Sequence, residues 1–290
     1  MDLIQNSKSS GKPKVAITIP IYKSFEELTR NEIQALLQIK SVLNSRDIFL
    51  LHPSFVDIKK FTDLFLPLKA MPLRIKDKYF GNQERSNLLF LSYNLYSQFS
   101  EYDYMLTYHI DAYVFSDQLD YWCNRDLDYI GAPWFVGNHH PTYPLKFKGV
   151  GNGGFSLRRI SSFKKIAKDR SLVILHRALY RLHKFLEGSS YQLLRKVMGL
   201  NYFLKLIEPM IGYEDEFWGL IVPRYYKWFK VAAPEEALRF SFEVLPQELC
   251  KLNNNRLPCG CHAWEKYGPD FWGKFIRPLT DLEERASPIL

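Results

Sequence analysis

The chain has 290 residues, of which 47% are hydrophobic and 16% aromatic, so it holds enough apolar material for one large core, and extensive disorder is excluded. No run approaches the roughly 20 apolar residues that span a bilayer, and residues 1–14 are polar, so we expect a cytoplasmic protein with a flexible N-terminus (1–14) and a single domain over 15–290. The net charge of +8 is concentrated in residues 158–205, whereas the rest of the chain is slightly acidic and has no nucleic-acid motif, which argues against a nucleic-acid partner.

The first 110 residues alternate between strand and helix patterns. Short apolar runs, typical of strands buried on both faces, occupy 15–22, 48–51 and 104–110. Helical spacing occupies 24–44, 55–65 and 85–99, and a capping box of Ser24 and Glu27 predicts where the first helix begins. The alternation predicts an α/β fold with a doubly wound, mostly parallel sheet, which binds ligands beyond the carboxyl ends of its strands.

The second half of the chain is less regular. The pattern predicts a short helix over 117–124, a strand over 129–134 and a long loop over 135–151, which is a candidate binding element. A basic helical insertion is expected at about 159–210, with one or two amphipathic helices over 171–204 that break at 188–190.

Two motifs follow predicted strands. Asp111 comes directly after the run 104–110, where a carboxylate can hold a divalent metal or a ribose hydroxyl, or simply cap the next helix. Residues 149–154 include four glycines, which let the backbone approach a ligand closely or form a tight turn.

Two further motifs carry ionisable groups. Glu214, Asp215 and Glu216 begin an apolar helix, where they can cap it or supply the base that takes a proton from an acceptor hydroxyl. In the segment 260–264, His262 can ligate a metal or contact a diphosphate, although a lone histidine is more often structural, and Trp264 offers a flat face for a sugar ring.

In this order the motifs resemble the shared core of the GT-A glycosyltransferases, from about Val15 to Trp264 but excluding much of Arg159 to Met210. The segments 130–134, 151–157 and 260–264 look like an uncharacterised bacterial family encoded with surface-polysaccharide genes. The resemblance implies a GT-A-like (Rossmann-like), mostly parallel sheet flanked by helices. It also implies transfer of a sugar from a nucleotide-diphosphate sugar to a glycan or lipid-linked acceptor in O-antigen or capsule synthesis.

The same resemblance assigns roles to individual residues. The donor would contact Pro20, Ile21, Tyr22, Asp111, Gly153 and Gly154. The acceptor would contact Trp134, Trp218 and Trp264. Asp215, with Glu214 beside it, would be the catalytic base of an inverting reaction. Asp111 and His262 would hold Mn²⁺ or Mg²⁺, but metal dependence stays open because Tyr113 stands where the superfamily has its second Asp. His109 either compensates or packs.

Three other hypotheses remain open. The helix pattern over 172–186 places Arg177, Arg181 and Lys184 beside an apolar arc. This pattern is typical of a helix that lies on an anionic membrane surface, and the segment 159–205 would then make the membrane contact. A helix packed on the core shows the same pattern. The four cysteines are expected to be reduced thiols, but Cys250, Cys259 and Cys261 with His262 could bind zinc. A non-catalytic carbohydrate-binding module would use the tryptophans without Asp215.

Overall fold

The computed structural model describes residues 11–187 and 210–276, and its centre is a six-stranded sheet in the order β3-β2-β1-β4-β9-β6. The strands are β1 (Val15–Pro20), β2 (Asp47–His52), β3 (Ala70–Arg74), β4 (Tyr104–Tyr108), β6 (Tyr129–Ile130) and β9 (Phe155–Arg159). Strands β1 to β4 are parallel, whereas β9 runs antiparallel to both β4 and β6. The predicted mostly parallel α/β sheet is therefore confirmed.

Helices cover both faces of this sheet. Strand β1 buries all six of its residues, with Ile17 and Ile19 in one hydrophobic core and Ala16 in the other. The first core includes side chains of α1 (Arg30–Val42), α2 (Lys59–Phe65) and α5 (Leu119–Cys123). The second includes α3 (Gln83–Phe90), α4 (Tyr93–Gln98) and α6 (Ile160–Asp169). A central strand with no exposed face therefore needs the continuous apolar run that the sequence shows.

Three helix boundaries differ from those that the spacing predicts, and at two of them a capping side chain is the reason. The capping box at Ser24 closes only a 3₁₀ turn (Phe25–Glu27), and α1 begins after a second box in which the Thr29 hydroxyl accepts from the Glu32 N–H. The predicted helix 85–99 is two helices, because the Ser92 hydroxyl caps α4 by accepting from the Leu95 N–H. Helix α2 begins at Lys59 rather than at Phe55.

Two small sheets and several short helices complete the fold. One sheet contains β10 (Ser241–Phe242), β11 (Gly260–His262) and β5 (Ala112–Val114), and the other contains β7 (Ala132–Phe135) and β8 (Phe147–Gly151). Helix α8 (Glu214–Glu216) continues through a π-helical turn (Phe217–Ile221) into α9 (Val222–Tyr225). Three later helices begin with a proline, which suits a first turn: α10 (Pro234–Ala237), α11 (Pro246–Leu252) and α12 (Pro269–Trp272).

The segment assigned to a basic insertion begins as part of the core. Arg159 ends β9, and α6 buries Phe163 and Ile166 against the sheet. Helix α7 (Ser171–Glu187) also buries Leu172 and Val173 in that core, so residues 159–173 pack as part of the domain. The predicted break at 188–190 and the expected second helix lie outside the described residues, as do residues 1–10 of the N-terminus. Within 11–187 and 210–276, no helix combines the length and the apolarity that a membrane span requires.

Candidate active site

A cavity of about 800 Å³ opens where β1 and β4 end and β9 begins. Because β9 is antiparallel to β4, with Phe155 opposite Tyr108, the glycine segment before β9 comes to the carboxyl end of β4. The His109 N–H donates to the Gly154 carbonyl at 2.8 Å, which joins the two segments at the cavity wall. The cavity therefore lies at the sheet edge where parallel α/β folds place their ligands.

Most of the residues singled out from the sequence line this one cavity. They are Pro20, Tyr22, Asp111, Trp134, Gly153, Gly154, Glu214, Asp215 and His262. Ile21 does not line it: this side chain is 1% exposed in the core below, and its N–H donates to the Leu51 carbonyl at 2.8 Å. The predicted donor contact of Ile21 is therefore wrong, because alternate residues of a strand face opposite sides.

The three tryptophans have different environments. Trp134 lines the cavity and donates from its indole Nε1 to Glu243 Oε2 at 3.1 Å. Trp218 is fully buried, with its ring 4.1 Å from that of Phe163, and Trp264 packs in the core around the three-stranded sheet. The predictions that Trp218 and Trp264 contact the acceptor are wrong, because neither side chain reaches the cavity.

A group of possible metal ligands lines the cavity. Ligand atoms of His109, Asp111 and His262 all lie within 4.8 Å of one another, and His262 Nε2 is 3.2 Å from Asp111 Oδ1. His109 Nε2 is shielded from solvent and has no hydrogen-bond partner in the part of the chain that the structure describes. Tyr113, by contrast, is 1% exposed and packs in the core around the three-stranded sheet. His109, two residues before Asp111, therefore lies where it could compensate for the missing second Asp, whereas Tyr113 does not.

The three side chains of this group differ in ionisation. Desolvation, with a smaller contribution from His262, lowers the pKa of His109 to about 4, so that its ring is neutral. Burial opposes charge on His262, but Asp111 and Glu243 raise its pKa well above the usual value. His262 in turn holds the pKa of Asp111 low despite burial. When His262 gives up its proton to a cation, the group offers two imidazole nitrogens and one carboxylate oxygen as ligands. Such a donor set can bind Mn²⁺ or Mg²⁺, although it binds zinc more tightly.

Glu243 orients the His262 ring by contacting the ring nitrogen that does not face Asp111. Its Oε1 lies 3.0 Å from His262 Nδ1, and its Oε2 accepts the Trp134 indole N–H. With the Nδ1 proton held by a buried carboxylate, Nε2 is the nitrogen that faces Asp111 and His109. Nothing in the local sequence identifies Glu243 as a residue of the site. It reaches His262 because β10 and β11 are parallel, with Phe242 opposite Cys261.

The cysteines do not form a zinc site. All four are free thiols, and the Cys259 thiol donates to the Ser116 carbonyl at 3.2 Å. Cys261 points into the core around the three-stranded sheet, on the opposite side of β11 from His262. Among the described residues, the His109, Asp111 and His262 group is the one that could hold a metal ion.

The acidic segment of α8 lines the same cavity. Asp215 Oδ2 accepts from the Gly153 N–H at 3.0 Å, and Oδ1 accepts from the Glu216 N–H at 2.9 Å. Desolvation, followed by the charges of Glu214, Glu243 and Glu216, raises the pKa of Asp215 to about 7. A carboxylate with such a pKa can accept and release a proton near neutral pH.

Glu214 has a structural partner. Its two carboxylate oxygens accept from the Arg158 guanidinium at 2.8 and 2.9 Å, and Arg158 is fully buried. This bidentate ion pair engages both oxygens of the Glu214 carboxylate, which argues against the catalytic role that the resemblance implied for Glu214. The pair instead fixes the start of α8 against β9.

The two glycines make room for protein side chains. A Cβ on Gly153 would collide with the Glu214 carboxylate, and a Cβ on Gly154 would collide with the His262 ring. We expected these glycines to let the backbone approach a ligand. In the structure they let α8 and β11 pack against the loop before β9, which brings both to the same cavity.

The fold and the site together define the class of protein: the chain has a GT-A-like α/β fold. Over 93% of this chain and 95% of the other, it superposes on an active-site mutant of LgtC with a TM-score of 0.50 and 11% identity. It is also similar to the galactosyltransferase LgtC in complex with donor and acceptor sugar analogs (TM-score 0.48, 12% identity, 95% and 97% covered). A third similar structure is the apo-form glycosyltransferase GlyE of Streptococcus pneumoniae TIGR4 (TM-score 0.47, 12% identity, 94% covered), of which the chain spans 62% of the length.

The family model described as protein of unknown function (DUF5672) matches residues 70–262. The match extends over more than half of the chain, which therefore belongs to this family. No curated protein matches the sequence.

Proposed function

We propose that the protein is a glycosyltransferase that moves a sugar from a nucleotide-diphosphate sugar to a glycan or lipid-linked acceptor. The observation that carries the proposal is a single cavity lined both by a group that could hold a cation and by Asp215, whose pKa is raised to about 7. The GT-A-like fold supports the same reading, since it is the fold of the galactosyltransferase LgtC.

In this proposal His109, Asp111 and His262 hold Mn²⁺ or Mg²⁺, whose chemistry is to neutralise the charge of the departing nucleoside diphosphate. Pro20, Tyr22, Gly153 and Gly154 line the space for the donor, and Trp134 lines the space for the acceptor. Asp215 takes the proton of the acceptor hydroxyl as that oxygen attacks the anomeric carbon from the face opposite the nucleotide, which inverts the configuration. A role in O-antigen or capsule synthesis rests on the resemblance of residues 130–134, 151–157 and 260–264.

Thermal stabilisation by nucleotide sugars tests the proposal. A ligand at one hundred times its Kd stabilises the native state by about 2.7 kcal/mol, so the matching donor with Mn²⁺ should raise Tm by several degrees. EDTA or Asp111→Asn should remove most of that shift, whereas Asp270→Asn, at an exposed residue of α12 outside the cavity, should retain it. If no nucleotide sugar raises Tm, the proposal is wrong.

A non-catalytic carbohydrate-binding module is the alternative. Such a module would bind sugar without turnover, and Asp215→Asn would leave all of its activities unchanged. Release of nucleoside diphosphate in the presence of donor and acceptor distinguishes the two functions.

We also propose peripheral contact with an anionic membrane through α7, on the cytoplasmic face. Exposed apolar side chains on α7 support it: Ile174, Leu175, Leu182 and Phe185. Flotation with vesicles of anionic phospholipid tests the contact, and replacing Arg177, Arg181 and Lys184 by Glu should abolish it. Unchanged flotation of that variant would refute the proposal.

A further inference from the structure

Helix α3 contacts both chemically important parts of the candidate active site. Near its C-terminal end the Phe90 ring lies 6.2 Å, centroid to centroid, from the imidazole of His109, one of the three possible metal ligands. One turn earlier, Asn87 Oδ1 accepts from the N–H of Glu214 at 3.3 Å, next to Asp215 in the chain. A sugar whose anomeric carbon lies between those ligands and Asp215 therefore has α3 beside its ring.

The face of α3 that lines the cavity carries neutral polar side chains. Gln83, Ser86 and Asn87 are three and four residues apart, which places them on one face of the helix, and all three line the cavity. The two charged residues of the helix, Glu84 and Arg85, are exposed and do not line it. Amides and hydroxyls both donate and accept hydrogen bonds, as sugar hydroxyls do. The helix therefore offers a sugar ring hydrogen-bond partners without a charge.

The charged residues of the cavity lining are mostly acidic. Among the described residues that line the cavity, the carboxylates are Asp111, Glu214, Asp215, Glu216 and Glu243. The same described lining contains one lysine, Lys266, and no arginine. Contact with Tyr267, followed by the charges of Glu243 and Asp111, raises the pKa of Lys266 against the effect of burial, so its charge already has partners. A carboxylate on the sugar would therefore lose water without gaining a cation of its own.

Asp215 is the residue that a charged sugar would affect most. Its oxygens accept from the backbone N–H groups of Gly153 and Glu216, whereas the Glu214 carboxylate is paired with Arg158. Desolvation and then the neighbouring carboxylates already raise the pKa of Asp215 to about 7. One more carboxylate would raise it further and leave less of the base ionised at neutral pH. A sugar acid would thus bind weakly and react slowly in this cavity.

We propose that the transferred sugar is uncharged, a neutral hexose or N-acetylhexosamine rather than a sugar acid, and that Gln83, Ser86 and Asn87 bind its hydroxyl groups. The inference rests on the proposed function, because it assigns the donor sugar of the same site. It names the substrate class and the three residues that select it, none of which belongs to the four sequence motifs.

Matched pairs of nucleotide sugars test the selection by charge. Each pair keeps the nucleotide and the sugar stereochemistry and differs only at C6, as in UDP-glucose and UDP-glucuronate or UDP-galactose and UDP-galacturonate. In a pair whose neutral member raises Tm with Mn²⁺, calorimetry should give at least about tenfold weaker binding for the sugar acid. A sugar acid that binds as tightly as its neutral partner, or that alone raises Tm, would overturn the inference.

A cation placed on the cavity face of α3 should change the selection. Ser86→Lys should reduce the preference for the neutral member of the pair at least about tenfold, because it gives a sugar carboxylate a partner. The matched control, Glu84→Gln, makes the same change in net charge on the same helix outside the cavity and should keep the parent's preference. Gln83→Lys, at an exposed residue, replaces Ser86→Lys if that variant has a lowered Tm without ligand. An unchanged preference would refute the assignment to α3.

The bare nucleoside diphosphate separates contact with the sugar from contact with the nucleotide. Gln83→Ala combined with Ser86→Ala should weaken binding of the nucleotide sugar about tenfold, because two neutral hydrogen bonds are lost. The same double variant should bind the nucleoside diphosphate as the parent does. Equal weakening of both ligands would assign this face of α3 to the nucleotide and contradict the inference.

The proposed function and this inference fail in different ways. If no nucleotide sugar raises Tm, both are wrong. If a sugar acid is the donor that binds, the glycosyltransferase proposal stands and only the assignment of the donor sugar is wrong.

Discussion

Asp111 and Asp215 line the same cavity, but their surroundings drive the two carboxyl groups in opposite directions. Both are desolvated, which alone would raise both pKa values. The His262 imidazole beside Asp111 reverses the effect and holds that pKa low. Asp215 instead faces the carboxylates of Glu214, Glu243 and Glu216, and its pKa rises to about 7.

The difference shows how one cavity can hold two carboxylates with separate tasks. Asp111 stays ionised next to His109 and His262, and this group can take up a cation when His262 gives up its proton. Asp215 is a group that gains or loses a proton near neutral pH. Two acids whose environments separate their pKa values are the usual sign of separate roles in a reaction.

Asp215→Asn should give the largest effect. We expect kcat to fall by about 10²–10⁴-fold with donor affinity nearly unchanged, because an amide cannot take the acceptor proton. Steady-state kinetics with the donor identified by thermal stabilisation measures this, and Asp270→Asn is the matched control. Unchanged kcat would exclude Asp215 as the base.

Although Asp215→Asn should lower kcat, it should not lower the stability of the native state. A carboxyl group with a raised pKa binds its proton more tightly in the native state, so its cost to stability grows as pH rises from its unfolded value to about 7. Asp215→Asn removes that cost, and its Tm at pH 8 should equal or exceed that of the parent. A lower Tm at pH 8 would show that the loss of activity reflects unfolding.

Arg158→Met should be the most damaging change to stability near Asp215. It leaves the buried Glu214 carboxylate without its partner, and we expect a loss of about 3–5 kcal/mol in the free energy of unfolding, measured with urea. The double variant Arg158→Met with Glu214→Leu replaces the pair by apolar groups and should recover most of that loss. If the double variant is no more stable than the single one, the ion pair is not what the single change disrupts.

Asp111→Asn tests the group of possible metal ligands. Removing the one carboxylate of the group should weaken Mn²⁺ binding by more than about 100-fold, measured by calorimetry. The variant should leave the stability contributed by Arg158 and Glu214 unchanged, which separates the two groups. Mn²⁺ affinity equal to that of the parent would remove Asp111 from the cation site.

Glu243→Gln should have a smaller effect on the same measurement. The amide can still contact Trp134 or His262 but no longer stabilises the His262 ring by charge, and we expect about tenfold weaker Mn²⁺ binding. Glu248→Gln on α11, outside the cavity, is the control. A purely packing role for Glu243 would instead lower Tm without changing the affinity for Mn²⁺.

The pH profile should show the smallest and most specific effect. Because Asp215 acts as a base only when deprotonated, kcat/KM should fall about tenfold per unit as pH drops below about 7 and should level off above it. The Asp215→Asn variant should lose this dependence in its residual activity. A profile that is flat between pH 5 and 7 would contradict the role of Asp215.

The sequence was a good guide to the frame of this protein because periodicity reports burial locally. The run over 15–22 predicts β1 since a strand covered on both faces must be apolar at nearly every position. Helix boundaries were less predictable. Ser24 with Glu27 and Thr29 with Glu32 form capping boxes of the same sequence pattern, and α1 follows the second one. The pattern alone does not show which of the two begins the helix.

The sequence by itself determined the α/β class, the motif order and the candidate residues Asp111, Gly153, Gly154, Asp215 and His262, since each follows from local spacing. Only the tertiary structure decided which of their neighbours share the cavity. Antiparallel β9 brings the glycines to His109, parallel β10 and β11 set Glu243 behind His262, and Arg158 occupies Glu214. Those pairings join residues far apart in the chain, so local spacing does not reveal them. The alternation of side chains along a strand turns Ile21 and Tyr113 away from the cavity and into the cores. Trp218 and Trp264 are also buried in the cores.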